Sequence, residues 1–162
     1  MKLIRHCVLL VLALVLTSCT SHYYVVRHAE KLNQTDNSPL SGAGLRRAKI
    51  LAEKLSTKDI HVIFVSDKQR TQQTAAPTAE RFSIDPIIIP IGETNRVIKE
   101  LKKISGRNVL VVRHSNEIHL IVNALSPFDN IDPIPDEFDN LFVITKRKFL
   151  WSTQISLERL KY

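Results

Sequence analysis

A chain of 162 residues sets the scale of one domain with room for a real apolar core. With 44% hydrophobic and 24% charged residues it fits a soluble globular protein, not a disordered chain or one embedded throughout in lipid. The formal charge of +7 favours anionic partners such as phosphoesters, nucleic acid or acidic membrane surfaces. The cations are spread out except for Lys146-Arg147-Lys148, and no basic stripe carries interleaved aromatics, so nucleic acid is set aside as a partner.

In chain order, Lys2 and Arg5 form a positive start and Cys7 to Leu16 a short apolar run. The run is too short for a comfortable membrane span and fits the apolar region of a secretory signal. Residues 20–22 read as a polar linker, and Tyr23 to Arg27 as a buried strand. Residues 29–41 read as a loop, and Ser41 can cap a helix with apolar positions at Leu45, Ala48, Leu51, Ala52 and Leu55. Ile60 to Val65 is a second strand. Thr71 to Phe82 reads as a helix that Pro77 either kinks or begins. Ile87 to Ile89 is a third strand, Thr94 to Ile104 a helix, Val109 to Val112 a fourth strand, and Asn116 to Leu125 a helix. After a Pro- and Asp-rich loop at 126–140, Leu141 to Thr145 and Phe149 to Ile155 read as an antiparallel pair joined at Lys146-Arg147-Lys148.

Alternating strands and helices predict a three-layer α/β/α sandwich with a mostly parallel central sheet. In such a sheet, sites gather at the carboxyl ends of strands. Three strand ends here carry chemistry: Arg27-His28, Ser66 with Arg70 just beyond, and Arg113-His114. The other histidines read as structural, and His114 and His119, five apart, lack the spacing of a helical zinc pair.

The order Arg27-His28-Ala29, Leu40-Ser41-Gly42-Ala43-Gly44, Ser66 with Arg70-Thr71-Gln72-Gln73-Thr74-Ala75, and Arg113-His114-Ser115-Asn116 resembles the histidine phosphatase superfamily. The resemblance covers roughly residues 23 to 155, and more particularly the small, capless, phosphoglycerate mutase-like branch. It implies a metal-independent phosphomonoesterase with no cofactor. His28 would take the phosphoryl group, Arg27 and Arg70 would bind its oxygens, and His114 would donate to it. The chemistry is sound, since an imidazole nitrogen can attack phosphorus and forked guanidinium donors stabilise the equatorial charge.

Leu16-Thr17-Ser18-Cys19 looks like the lipobox of bacterial lipoproteins. That resemblance implies a signal at 1–18, lipid on Cys19, a linker to residue 22 and a phosphatase-like domain over 23–162. It further implies a lipid-anchored place on the cell envelope, on the outer membrane facing the periplasm if the cell is Gram-negative. With Cys7 removed, no disulfide can form.

Two residues are open. The leaving oxygen needs a carboxylic acid, for which Glu93, just past the third strand, stands first, with Glu30, Glu117 and Asp136 as competitors. The family usually has a glycine where Arg113 stands. Either Arg113 adds a phosphate-binding cation to the pocket or it turns away to a carboxylate such as Glu117. The short chain leaves little room for a cap, so an open pocket is expected, suited to phosphosugars, phosphorylated envelope glycans or phosphoproteins. An open pocket also speaks against a mutase, because an exposed phosphohistidine is lost to water. A catalytically weak or inactive anion-binding lipoprotein on the same scaffold is the alternative.

Overall fold

The computed structural model describes residues 19–134 and 137–162. The expected signal segment and Asp136 lie outside the described residues. The described part forms six strands and four helices: β1 Cys19–Arg27, α1 Gly42–Lys54, β2 Ile60–Val65, α2 Gln69–Phe82, β3 Ile87–Ile88, α3 Thr94–Lys103, β4 Asn108–Arg113, α4 Ser115–Leu125, β5 Asn140–Lys148 and β6 Thr153–Lys161. None of these helices is long and apolar enough to cross a membrane.

The strands form one mixed sheet in the order β3-β2-β4-β1-β5-β6. The β3-β2, β2-β4 and β4-β1 pairs are parallel, and β5 and β6 join antiparallel at one edge. Period-two alternation sends Tyr24, Val26, Leu110 and Val112 to one face, where Leu51 of α1, Leu55 at its C-cap, and Ala75 and Ala79 of α2 cover them. Tyr23, Val25, Val109 and Val111 face the other way, against Val97 and Leu101 of α3 and Ile118, Ile121 and Val122 of α4. This is the expected three-layer arrangement, with helices on both faces of a mostly parallel sheet.

Two element boundaries differ from the sequence reading, and one alternative is resolved. Residues 20–22 are strand, not linker, because Thr20, Ser21 and His22 pair in register with Arg147, Lys146 and Thr145 of β5. Of the two places the sequence allowed for Pro77, it takes the interior of α2 rather than the first turn. The last hairpin turns at 149–152, where the Phe149 N–H donates to the Ser152 carbonyl at 2.8 Å, so Lys146-Arg147-Lys148 is strand. A polar, basic run reads as a turn from composition, but here it is ladder-paired on both sides, to Ser21, Thr20 and Cys19 of β1 and to Ile155, Gln154 and Thr153 of β6.

Ser41 caps α1 as expected, accepting the Gly44 N–H at 3.1 Å. Gly44 is required by contact: a Cβ there would sit 2.4 Å from the Glu30 carbonyl oxygen. That close approach, with the Ser41 N–H donating to the Glu30 carbonyl at 2.9 Å, pins the start of α1 to the chain just after His28.

Candidate active site

Strands β1 and β4 lie side by side in parallel, with Arg27 opposite Arg113. The ladder continues one residue further, as the His28 N–H donates to the Arg113 carbonyl at 2.9 Å. His28 and His114 therefore leave the sheet together, and their ring centroids are 5.3 Å apart at an interplanar angle of 62°. The Ala29 N–H donates to Thr74 Oγ1 at 2.9 Å, and Thr74 Oγ1 donates to the Arg70 carbonyl at 2.6 Å. These two bonds hold the first turn of α2, and hence Arg70, against the end of β1.

The hydrogen bonds define the state of each imidazole. His28 Nδ1 lies 2.8 Å from the Ala29 carbonyl, which can only accept. Nδ1 therefore carries the proton, and Nε2 keeps its lone pair. Burial first, then the charges of Arg70 and Arg27, push the His28 pKa down to about 4, against the Nδ1–H bond to Ala29. His28 is thus neutral at ordinary pH, as a nitrogen nucleophile must be.

His114 has a different set of partners. Arg70 Nη2 can only donate, so the contact at 3.3 Å makes His114 Nδ1 the acceptor. His114 Nε2–H then donates to Ser66 Oγ at 2.9 Å, and Ser66 Oγ lies 2.9 Å from Thr71 Oγ1. Burial first, then Arg70, push His114 down to about 3. The chain Arg70–His114–Ser66–Thr71 orients the second imidazole from below. The motif alone does not show what Ser66 and Thr71 do in this chain, because their bonds to His114 and to each other form only in the fold.

Arg27 is buried, with Cζ 4.2 Å from the centroid of the Phe138 ring, and that ring is 6.0 Å from His28. Phe138 carries no sequence signal, because a single Phe in a Pro- and Asp-rich loop belongs to no pattern. Arg70 is held from the other side, its Nη1 donating to the Asp36 carbonyl at 2.5 Å. Lys68 pairs with the Asp36 carboxylate, and the Gln69 N–H donates to Asn37 Oδ1 at 3.0 Å. The loop 29–41 is therefore a folded rim over α2. With that rim on one side and Phe138 on the other, His28 and His114 are each only 4% exposed, which corrects the expectation of an open pocket.

Arg113 does not join this group. It is 0% exposed, and its guanidinium donates to the carbonyls of Val65, Ile89 and Pro90 and to Glu117 Oε1 at 2.7 Å. The expected extra phosphate-binding cation is thus corrected: Arg113 ties the ends of β2 and β3 to α4. The physical reason is that the carbonyls of Val65 at the end of β2 and of Ile89 and Pro90 just past β3 converge within reach of the guanidinium, and Glu117 lies one helical turn on.

The candidate acids are placed as follows. Glu117 is buried and spent on Arg113 and on the Thr94 hydroxyl, which donates to it at 2.7 Å. Glu30 accepts from Arg47 Nε and Nη2; burial alone would raise its pKa, but the Arg47 bonds outweigh it and hold the carboxyl below the usual range. Glu93 immediately precedes α3, half-exposed and paired with Arg96 at 3.0 Å. No hydrogen bond joins any of these three carboxylates to His28 or His114.

Residues 23–91 match the sequence model of the histidine phosphatase superfamily (branch 1). The match supports the histidine phosphatase superfamily. It spans the first motif, the α1 start and the α2 motif, and so contains His28, Arg27 and Arg70. Two curated proteins named probable phosphoglycerate mutase GpmB are similar in part. The one from Enterobacter sp. (strain 638) is 36% identical over 74 residues, 41% of this chain and 34% of that protein. The one from Yersinia pestis (strain Pestoides F) is 34% identical over 92 residues, 51% and 42% respectively. This chain therefore spans less than half the length of these relatives.

Among solved structures, a mycobacterial glucosyl-3-phosphoglycerate phosphatase aligns with a TM-score of 0.69 at 14% identity, covering 88% of this chain and 99% of that one. The protein histidine phosphatase SixA, solved with tungstate, aligns with a TM-score of 0.66 at 17% identity, covering 86% and 96%. At such identities the likeness is one of histidine phosphatase fold.

Proposed function

We propose that this chain is a metal-independent phosphomonoesterase that works through a phosphohistidine on His28 and is held on the cell envelope by lipid on Cys19. The observation that carries the catalytic part is the state of His28: neutral, its Nδ1–H held by the Ala29 carbonyl, its Nε2 lone pair available beside Arg27, Arg70 and His114. The anchoring part rests on the sequence before Cys19.

In the first step the Nε2 lone pair forms a bond to phosphorus as the bond from phosphorus to the leaving oxygen breaks. The leaving oxygen takes a proton from Glu93, the most exposed of the three described candidate carboxylates. Arg27 and Arg70 hold the equatorial oxygens, with Arg70 giving up the Asp36 carbonyl or His114 to do so. In the second step water attacks phosphorus, loses a proton to the Glu93 carboxylate, and releases phosphate and neutral His28. His114 assists once Arg70 releases its Nδ1.

The substrate class is a phosphosugar, a phosphorylated envelope glycan or a phosphoprotein. The similar proteins are named for phosphoglycerate, glucosyl-3-phosphoglycerate and protein phosphohistidine substrates. Burial of His28 favours a second reading, phosphoryl transfer between two positions of one substrate, because a shielded phosphohistidine survives longer. Incubating the full chain with para-nitrophenyl phosphate and with phosphorylated acids and sugars separates the readings. Inorganic phosphate released by wild type and lost in His28→Ala supports the phosphatase. An isomeric phosphoester without phosphate release supports transfer, and no turnover of any ester from pH 4 to 8 leaves anion binding alone. Glu93→Gln should slow turnover of alkyl phosphates on the order of 100-fold, and aryl phosphates much less, because only the poor leaving group needs the proton.

A further inference from the structure

The end of the sheet opposite the histidines carries an unexplained surface. At the β5-β6 turn, Trp151 is 84% exposed and Leu150 and Phe149 are exposed beside it. Phe128, 87% exposed, borders the same cavity as Arg147 and Gln154 at the lower part of this hairpin. Large apolar side chains gathered at one tip, rather than scattered, mark a contact surface.

Among the described residues, the cations beside them have no ion-pair partner. Lys146, Arg147 and Lys148 face Ile155, Gln154 and Thr153 across β6, and Ser21, Thr20 and Cys19 across β1. No carboxylate stands in register on either side, and no salt bridge among the described residues includes any of the three. Burial first, then the nearby charges of Lys148 and Lys102, push the Lys146 pKa down, so Lys102 at the end of α3 belongs to the same positive surface.

Cys19 marks where the chain enters this end. It pairs with Lys148, one residue from Phe149, and its Sγ lies 3.4 Å from Ser105 Oγ. The sequence just before it contains the apolar run Cys7 to Leu16. An apolar tip with Trp, ringed by uncompensated Lys and Arg, matches the chemistry of an anionic lipid surface: the rings enter the headgroup boundary while the cations meet the lipid charge.

We infer that the β5-β6 tip, with Phe149, Leu150 and Trp151 flanked by Lys146, Arg147 and Lys148, docks on the anionic surface of a lipid bilayer. The contact goes beyond a lipid on Cys19 and does not depend on it. It also sets orientation. The nine residues of β1 at about 3.3 Å each hold His28 about 30 Å from the bilayer, with the site facing away from it. The enzyme then meets substrates in the aqueous space rather than phospholipid headgroups.

Trp151 is the only tryptophan, so its fluorescence reports the tip alone. The full chain is reconstituted into phosphatidylcholine vesicles with and without phosphatidylglycerol. Docking is expected to shift Trp151 emission to the blue and expose it to quenching by shallow brominated lipids, only with phosphatidylglycerol and less so at high salt. Replacing Lys146, Arg147 and Lys148 with Ser should move the docked-to-free ratio about 100-fold toward free. The inference is overturned if aqueous acrylamide reaches Trp151 equally on both vesicle types. It is also overturned if the blue shift grows with protein concentration in the absence of lipid, since a second copy would then cover the tip. Anchoring is read separately, from the acylated mass of Cys19 in cells. Acylation with a wet Trp151 sinks the docking alone, and a docked Trp151 without acylation sinks the anchor alone.

Discussion

Arg27-His28 and Arg113-His114 are the same dipeptide at the same height on adjacent parallel strands, yet their arginines have opposite fates. Both arginines continue the face of Tyr23, Val25, Val109 and Val111. Arg27 lies against Phe138 near His28, while Arg113 is spent on three carbonyls and Glu117. The difference comes from the neighbours. Beside β4, the Arg113 guanidinium meets the carbonyls of Val65 at the end of β2 and of Ile89 and Pro90 just past the two-residue β3, and α4 brings a carboxylate one turn on. β1 is followed by the loop 29–41, and its arginine lies against the Phe138 ring and stays by the histidines. The histidines diverge too: His28 keeps a bare Nε2, and both nitrogens of His114 are engaged.

The comparison can be broken at four points. The largest effect is expected at the histidines. His28→Ala should lower turnover by on the order of 10⁴-fold or more, whereas His114→Ala should retain a measurable phosphohistidine, seen by mass after acid-free denaturation. Equal loss of the covalent intermediate in both would end the distinction between them.

Next come the arginines. Arg113→Met leaves Glu117 buried without its cation and should cost about 3–5 kcal/mol of stability in urea unfolding. Arg113→Met with Glu117→Met should recover most of that loss, because the penalty is the orphaned charge. A stable Arg113→Met enzyme with a raised KM would instead return Arg113 to the pocket. Arg27→Met should show the converse, a drop of roughly 10²–10³-fold in kcat with a much smaller loss of stability.

The smallest effect is on pH dependence. The reactive form of His28 is the neutral one, so kcat/KM should fall on the acid side near the depressed value of about 4 rather than near 6.5. Both histidines have folded values below their unfolded 6.5. The unfolded chain therefore binds protons first as pH falls, and stability, full above about 6.5, is lost progressively toward about 4 and 3. Tm measured from pH 7 to pH 4 should fall, and less steeply in His114→Asn.

The strand-end rule made the location of the site legible before any coordinates, because parallel sheets bring the ends of alternating strands to one edge. Residues 23–28 and 109–114 could be paired from their apolar runs and shared Arg-His endings, and the cap at Ser41 from a local hydrogen bond. Phe138 and the Asp36 rim were not legible, since both act through contacts across more than thirty residues. The burial of His28 was missed for the same reason: a loop read as polar and open folds back onto α2.

Sequence by itself determined the alternation of elements, the two-faced sheet and the gathering of Arg27, His28, Arg70 and His114, because periodicity and strand-end position are local properties. It also held both fates of Arg113 open, naming Glu117 as one of them. Only the tertiary structure decided between them. An arginine goes where its five donors find acceptors, and the carbonyls of Val65, Ile89 and Pro90 come within its reach only once β2 has packed beside β4 and β3 beside β2.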